Sequence, residues 1–364
     1  MITRATNFSA GPSTIPEAVL QRVQNELLDW GGTGASIMEI SHRSQDFMEK
    51  ILAPARAKLK LLLNIPDNYQ ILFVTAGTSH QFSMVPMNLL NLKAWDRADY
   101  FYTGTWSGKA IKEAQRYGKI NVALSTENTQ FRKINSSDDF HFDPNASYVH
   151  YTPNETIHGF QFHEIPETNG VPLVADMSSE ILSRTIDVSK FGLIYAGAQK
   201  NIGPAGLVIV IIREDLLGHA HAHTPTMMDY KICADNDSMY NTPATYSWYL
   251  AGLVFKWLKA QGGLKAMAKI NHLKAKKLYD YIDNSGFYAN PVAKNSRSIM
   301  NVPFTLADAA LDKKFLAESE AAGLLYLAGH RSVGGMRASI YNAVTLEAVD
   351  VLINFMQEFA KKNG

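Results

Sequence analysis

Seven short apolar runs constrain this chain most: 70–74, 98–102, 120–123, 148–151, 171–175, 193–196 and 207–212. Polar, glycine or proline residues bound them, and several of the connections between them are long enough for a helix. Strands covered on both faces read as continuous apolar runs, and strands alternating with long connections build a mostly parallel sheet. The expected class is α/β, with a large domain around a mostly parallel seven-stranded sheet and a smaller α+β domain at the C-terminal end.

Helical periodicity flanks that sheet. Residues 16–30 carry apolar side chains at 19, 20, 23, 27 and 28, with Pro16 at the start and Gly31-Gly32 at the end. Ser44 is placed to cap a second helix running through Phe47, Ile51, Leu52, Ala55, Leu59 and Leu62. From about residue 244 the pattern changes to two long helical stretches, ending near Gly262-Gly263 and near Ser285-Gly286. Strands at 299–303, 324–328 and 336–341 and a closing helix at 345–361 complete a second unit. The division expected is a large domain at 16–260 and a small one assembled from 1–15 and 261–364, in keeping with 364 residues.

Composition narrows the functions. Net charge is +1, which provides no electrostatic footprint for nucleic acid or an anionic membrane. The single cysteine, Cys233, excludes an internal disulfide and suits a reducing compartment. The N-terminus lacks a signal peptide's apolar core, and no apolar stretch reaches the roughly 18 residues of a membrane span. A cytoplasmic protein without membrane or nucleic-acid partners is expected.

Two residues suggest chemistry. Lys200 lies in a turn between the sixth and seventh apolar runs, where burial would favour its neutral, nucleophilic amine. Asp176 follows the fifth run, at the carboxyl end where open α/β sheets bind ligands. A Schiff-base lysine and a carboxylate that keeps a pyridine nitrogen protonated are what pyridoxal phosphate needs. Taken singly, a solvated loop lysine and a capping aspartate would look the same. The turn Thr75-Ala76-Gly77-Thr78-Ser79-His80-Gln81 runs from a strand into a helix, a natural phosphate seat, with Thr78 and Ser79 as further donors. Gly104 to Ala110 only superficially resembles a phosphate loop, and no Gly-x-Gly-x-x-Gly occurs. His219, His221 and His223 would share a face of an extended strand, but no nearby cysteine or carboxylate cluster completes a metal site, so no metal is expected. His42-Arg43, His330-Arg331 and Arg337 would suit a doubly anionic small substrate.

Several segments resemble one family in order and spacing. They are Asn7-Phe-Ser-Ala-Gly11-Pro12, Met38-Glu-Ile-Ser-His42-Arg43-Ser44, Pro153-Asn-Glu-Thr156-Ile, Asp176-Met-Ser-Ser, Ala198-Gln199-Lys200-Asn201, Asn241-Thr242-Pro243 and Gly329-His330-Arg331-Ser-Val-Gly-Gly-Met-Arg337. Together they resemble phosphoserine aminotransferases. The resemblance implies a fold-type I pyridoxal phosphate enzyme that moves an amino group between L-glutamate and 3-phosphohydroxypyruvate, giving O-phospho-L-serine and 2-oxoglutarate. It also implies a homodimer with shared sites. Lys200 would form the Schiff base and shuttle the proton, Asp176 would pair with the pyridine nitrogen, Trp106 would stack on the ring, and Thr156 would bond its phenolic oxygen. Gln199, Thr78 and Ser79 would bind the cofactor phosphate, joined by Asn241 and Thr242 of the second subunit. Arg337 would hold the substrate α-carboxylate. His330 and Arg331, with His42 and Arg43 from across the interface, would surround the distal anion.

One position departs from the family's usual Gly-Gly-Gly-Arg-Gly-Gln: Ser79 stands where the arginine is expected. That leaves a broader-range class V aminotransferase as the alternative, and a non-catalytic homologue as one from outside enzymes. Use of a related phosphohydroxythreonine-type substrate, as in pyridoxine biosynthesis, stays open at this level.

Overall fold

In the computed structural model, which describes residues 4–94, 96–134 and 140–364, all seven apolar runs become strands of one sheet. Residues 1–3 of the expected small domain lie outside the described residues. The strands are β1 (Tyr69–Val74), β2 (Arg97–Tyr102), β3 (Lys119–Ser125), β4 (Val149–Tyr151), β5 (Leu173–Asp176), β6 (Leu193–Gly197) and β7 (Val208–Arg213). Their order across the sheet is β1-β7-β6-β5-β4-β2-β3. Every neighbouring pair is parallel except those made by β7, which is antiparallel to both β6 and β1. With β7 the one reversed strand, β1 to β6 deliver their carboxyl ends to a single edge of the sheet.

Alternation along the strands feeds two hydrophobic layers, because successive side chains point to opposite faces. Phe73, Tyr151, Ala175, Ile194, Ile209 and Ile211 belong to one core, which the helices Ala53–Leu63 and Thr245–Ala260 help to form. Leu72, Tyr100, Tyr148, Val174, Tyr195 and Val210 belong to the other, with the helices Gln81–Leu89 and Thr105–Ala114. Trp248 is fully buried in the first, its ring centroid 5.0 Å from Phe73 and 5.8 Å from Phe47.

Ser44 caps as its position suggests, its Oγ accepting from the Phe47 amide at 3.2 Å. The helical run continues through a π-helical turn at Met48–Leu52 to Leu63. The first helix is shorter than its periodicity implies, Glu17–Glu26, and the residues up to Trp30 leave the helix before the Gly31-Gly32 pair.

A separate core gathers Phe8 with residues between Ala275 and Phe359. Its strands β8 (Asn301–Leu306) and β9 (Met336–Ser339) pair antiparallel, placing Pro303 opposite Arg337. β8 starts two residues later than the apolar pattern because Ser298 Oγ captures the Met300 and Asn301 amides at 3.0 and 2.9 Å. Thr6–Asn7 adds a parallel strand to Leu324–Leu325, which ties the N-terminal segment to this core. Thr345 Oγ1 caps the closing helix, Leu346–Asn363, by accepting from Ala348. No helix among the described residues is long and apolar enough to cross a membrane.

Candidate active site

The carboxyl ends of the strands surround a cavity of about 270 Å³. Thr78 follows β1, Trp106 follows β2, Thr152, Asn154 and Thr156 follow β4, Asp176 ends β5, and Gln199 and Lys200 follow β6; all of them line the wall. From the unit around the separate core come Arg337 on β9 and His330 in the loop before it. A crevice at the carboxyl edge is where open α/β folds bind ligands, because loops converge there from several strands.

Lys200 is held from two sides. Its Nζ donates to Thr156 Oγ1 at 2.8 Å, while Ser13 donates through its hydroxyl to the Lys200 carbonyl at 2.7 Å. Burial brings the amine down to about 8, since an ammonium loses hydration there; Asp176 and Glu155 pull it up and Arg337 pushes it down. About a tenth is therefore neutral amine at pH 7, far more than for a surface lysine.

Asp176 is buried, and burial raises its carboxyl above the ordinary aspartate value. The Ser178 hydroxyl and amide oppose this by donating to Oδ1 at 2.6 and 3.0 Å. Ser178 Oγ in turn accepts from the Gly197 amide at 3.1 Å, locking the end of β5 to the end of β6.

Close approach at Gly197 explains the glycine. A Cβ there would stand 2.0 Å from Thr78 Oγ1 and 2.4 Å from Gln199 Oε1, so any side chain would displace both proposed phosphate contacts.

Glu155 received no role from the sequence and proves central to the cavity's frame. Fully buried, its carboxylate accepts from the Trp106 amide (3.1 Å), the Ser107 amide (2.9 Å) and the Ser107 hydroxyl (2.7 Å). It therefore occupies the N-terminus of the helix Thr105–Ala114, satisfying amides that the helix cannot pair and meeting the positive end of its dipole. Burial raises the Glu155 carboxyl while those donors hold it down. Gly104 makes room, since a Cβ there would lie 2.4 Å from the Glu155 carboxyl carbon.

A second set that the sequence did not reveal joins the two cores. Asn154 donates to Asn301 Oδ1 at 2.9 Å, and Asn301 donates to Ser339 and Tyr341 at 3.0 and 3.1 Å. Asn342 donates its amide to Asn201 Oδ1 at 3.0 Å. These bonds fix β9, and with it Arg337, against the lysine turn. Arg337 donates weakly to the Thr156 carbonyl at 3.5 Å, and its Nε is buried without a partner.

The remaining expected residues stand elsewhere. Ser79 is exposed and outside the cavity wall. Arg331 is exposed, two positions beyond Gly329. Asn241 and Thr242 are exposed, and Asn241 lines a different, smaller cavity with His80 and Tyr240. Arg43 is exposed, whereas His42 Nε2 is buried and lacks a partner among the described residues. His219, His221 and His223 fall in a loop with a turn at 222–223 and do not form a strand.

The aminotransferase class-V family matches residues 5–352. A phosphoserine aminotransferase of Pseudomonas putida is 59% identical over 364 residues, covering all of both chains. The solved phosphoserine aminotransferase of Bacillus circulans subsp. alkalophilus superposes with a TM-score of 0.96 at 47% identity, over 99% of each chain. That of Trichomonas vaginalis, solved with pyridoxal phosphate bound, gives 0.92 at 41% identity over 97% of this chain and all of the other. Matched over nearly its whole length in sequence and in structure, the chain belongs to the class-V aminotransferases and, within them, to the phosphoserine aminotransferases.

Proposed function

We propose that this protein is a pyridoxal phosphate-dependent phosphoserine aminotransferase that moves the amino group between L-glutamate and 3-phosphohydroxypyruvate, forming O-phospho-L-serine and 2-oxoglutarate. The carrying observation is the pairing, in one buried cavity, of a lysine amine lowered to about 8 with a buried carboxylate on the next strand. The wall fits the cofactor by its unspent polar atoms: Thr78 Oγ1, Trp106 Nε1, Thr152 Oγ1 and Arg337 Nε are all buried without a partner. Buried polar groups are normally paired, so four orphans around one cavity point to a polar occupant.

When bound, pyridoxal phosphate supplies an electron sink for the carbanion formed on losing the substrate Cα proton. Asp176 would keep the ring nitrogen protonated, and Trp106 would stack on the ring. Thr78, just ahead of the helix Gln81–Leu89, and Gln199 in the turn after β6 would receive the phosphate. Lys200 would anchor the cofactor through its amine and, with that amine free, would carry the substrate Cα proton as general base and acid. Arg337 holds the α-carboxylate bidentately, and its burial strengthens that contact. His330 and Arg331 take the distal anion.

His42, Arg43, Asn241 and Thr242 complete the site of a second copy, in a homodimer. Their placement away from this chain's own cavity supports that arrangement. Mixing Lys200→Ala with Arg43→Ala subunits is then expected to restore about a quarter of wild-type activity, since half the dimers are hybrids with one intact site each. No recovery after verified exchange of subunits would contradict the shared site. A cytoplasmic location accords with the lone, partly buried cysteine.

Steady-state turnover of glutamate with 3-phosphohydroxypyruvate tests the assignment against unphosphorylated hydroxypyruvate. Charge-assisted bonds are worth about 1.5–3 kcal/mol each, so at least roughly a hundredfold preference for the phosphorylated acceptor is expected. Equal use of the two would favour a broad-range aminotransferase.

A further inference from the structure

Behind Asp176, on the sheet face that carries Tyr195, lies a row of buried polar side chains that the chemistry above does not use. Asp176 on β5 is the register partner of Tyr195 on β6, and His150 on β4 pairs with Val174, two residues before Asp176. Period-two alternation therefore puts His150, Asp176 and Tyr195 on one face. His150 Nε2 lies 2.9 Å from the Tyr195 hydroxyl, and the imidazole stacks on Tyr100 with centroids 4.6 Å apart at 16°. His150 Nδ1 is buried and has no partner among the described residues.

These facts set the direction of the hydrogen bonds. Burial takes the imidazole down to about 3, so it is neutral and carries one proton. A proton on Nδ1 would leave a buried N–H without an acceptor, a rarer state in proteins than an acceptor without a donor. The proton therefore sits on Nε2 and is donated to the Tyr195 oxygen. Tyr195 then has its own O–H free to donate, and Asp176, its register partner on β5, is the acidic group on the same face.

We propose that His150 and Tyr195 are positioning residues for Asp176, a one-way chain in which His150 Nε2–H donates to the Tyr195 oxygen and Tyr195 O–H donates to the carboxylate. With Ser178 this gives the carboxylate neutral donors from two sides, which offset its burial and keep it an anion aimed at the cavity. Neither side chain touches substrate or cofactor, so each acts through Asp176. The inference rests on Asp176 serving as the partner of the cofactor ring nitrogen.

Three variants of the cofactor-loaded protein separate the two ideas. Tyr195→Phe and His150→Phe remove the hydroxyl and the Nε2–H while keeping ring bulk, and Asp176→Asn serves as the reference. The readouts are the pH midpoint of the visible Schiff-base band and the kcat of the first half-reaction against its KM. Tyr195→Phe is expected to move the midpoint in the same direction as Asp176→Asn but less far, and to lower kcat roughly tenfold with little change in KM, as for one lost bond to a charged group. His150→Phe should do the same to a smaller extent. Wild-type values for both ring variants, alongside a changed Asp176→Asn, would overturn the chain while sparing the cofactor assignment; no change in any of the three would remove both. Should either ring variant fold poorly, nitrogen-15 spectra of the wild-type holoenzyme decide, since the chain requires the Nε2–H form of His150 and an Nδ1–H form overturns it.

Discussion

Lys200→Ala is expected to lower transamination by at least about 10⁴-fold, because one substitution removes both the nucleophile and the proton carrier, and general acid–base catalysis alone supplies about 10²–10⁴. The cofactor would still bind through the contacts around Thr78, Gln199 and Asp176, but borohydride would no longer fix it to the peptide containing position 200. The fold should persist, since Lys200 Nζ makes a single side-chain hydrogen bond, to Thr156. In wild-type protein stripped of cofactor, the attacking species is the neutral amine, whose fraction grows as pH rises through the folded value of about 8. Capture of added pyridoxal phosphate should therefore accelerate with pH and level off above that value. Acceleration continuing toward pH 10 would mean the lysine is not desolvated as the cavity requires. A borohydride-stable adduct that survives Lys200→Ala would remove it from its role.

Asp176→Asn is the second large effect. Both Ser178 donors reach Oδ1, which the amide oxygen of asparagine can replace, so local structure should be retained. What is lost is the negative charge proposed to hold the ring nitrogen protonated. Removing a preorganised electrostatic contact of this kind typically costs about 10²–10³-fold in kcat, and a loss of that size is expected here. A fall in cofactor affinity with kcat preserved would make Asp176 a binding residue only.

The fold was largely legible because its strands are buried on both faces. Continuous apolar runs such as 193–196 and 207–212 have few other uses in a chain of this composition. Strand direction was less accessible: nothing local in 207–212 says that β7 alone runs against the others, which is decided by the short turn after Lys200. Boundaries moved where a side chain captured backbone amides, as Ser298 does before β8. Lys200 and Asp176 could be found from their places at strand ends. Glu155 could not, because its partners at Trp106 and Ser107 are about fifty residues distant and a glutamate in a polar run carries no sign of them. His150 and Tyr195 were hidden in a different way, since each reads as part of an apolar strand until the register brings them together. Asn241 and Thr242 came only from the family resemblance, as did the assignment of His42 and Arg43 to a second subunit's site, because a residue proposed to act in a neighbour's site carries no local signal of it.

The recognition of a phosphorylated amino donor is tested most directly by single-turnover spectra of the cofactor-loaded protein, mixed separately with O-phospho-L-serine, L-glutamate, L-serine and L-alanine. Arg337 and His330 in the cavity wall, with the exposed Arg331 next to His330 in the chain, predict that the visible Schiff-base band is lost with phosphoserine and glutamate, and that serine and alanine react at least roughly a hundredfold more slowly. Comparable rates with alanine or serine would contradict recognition of a distal anion.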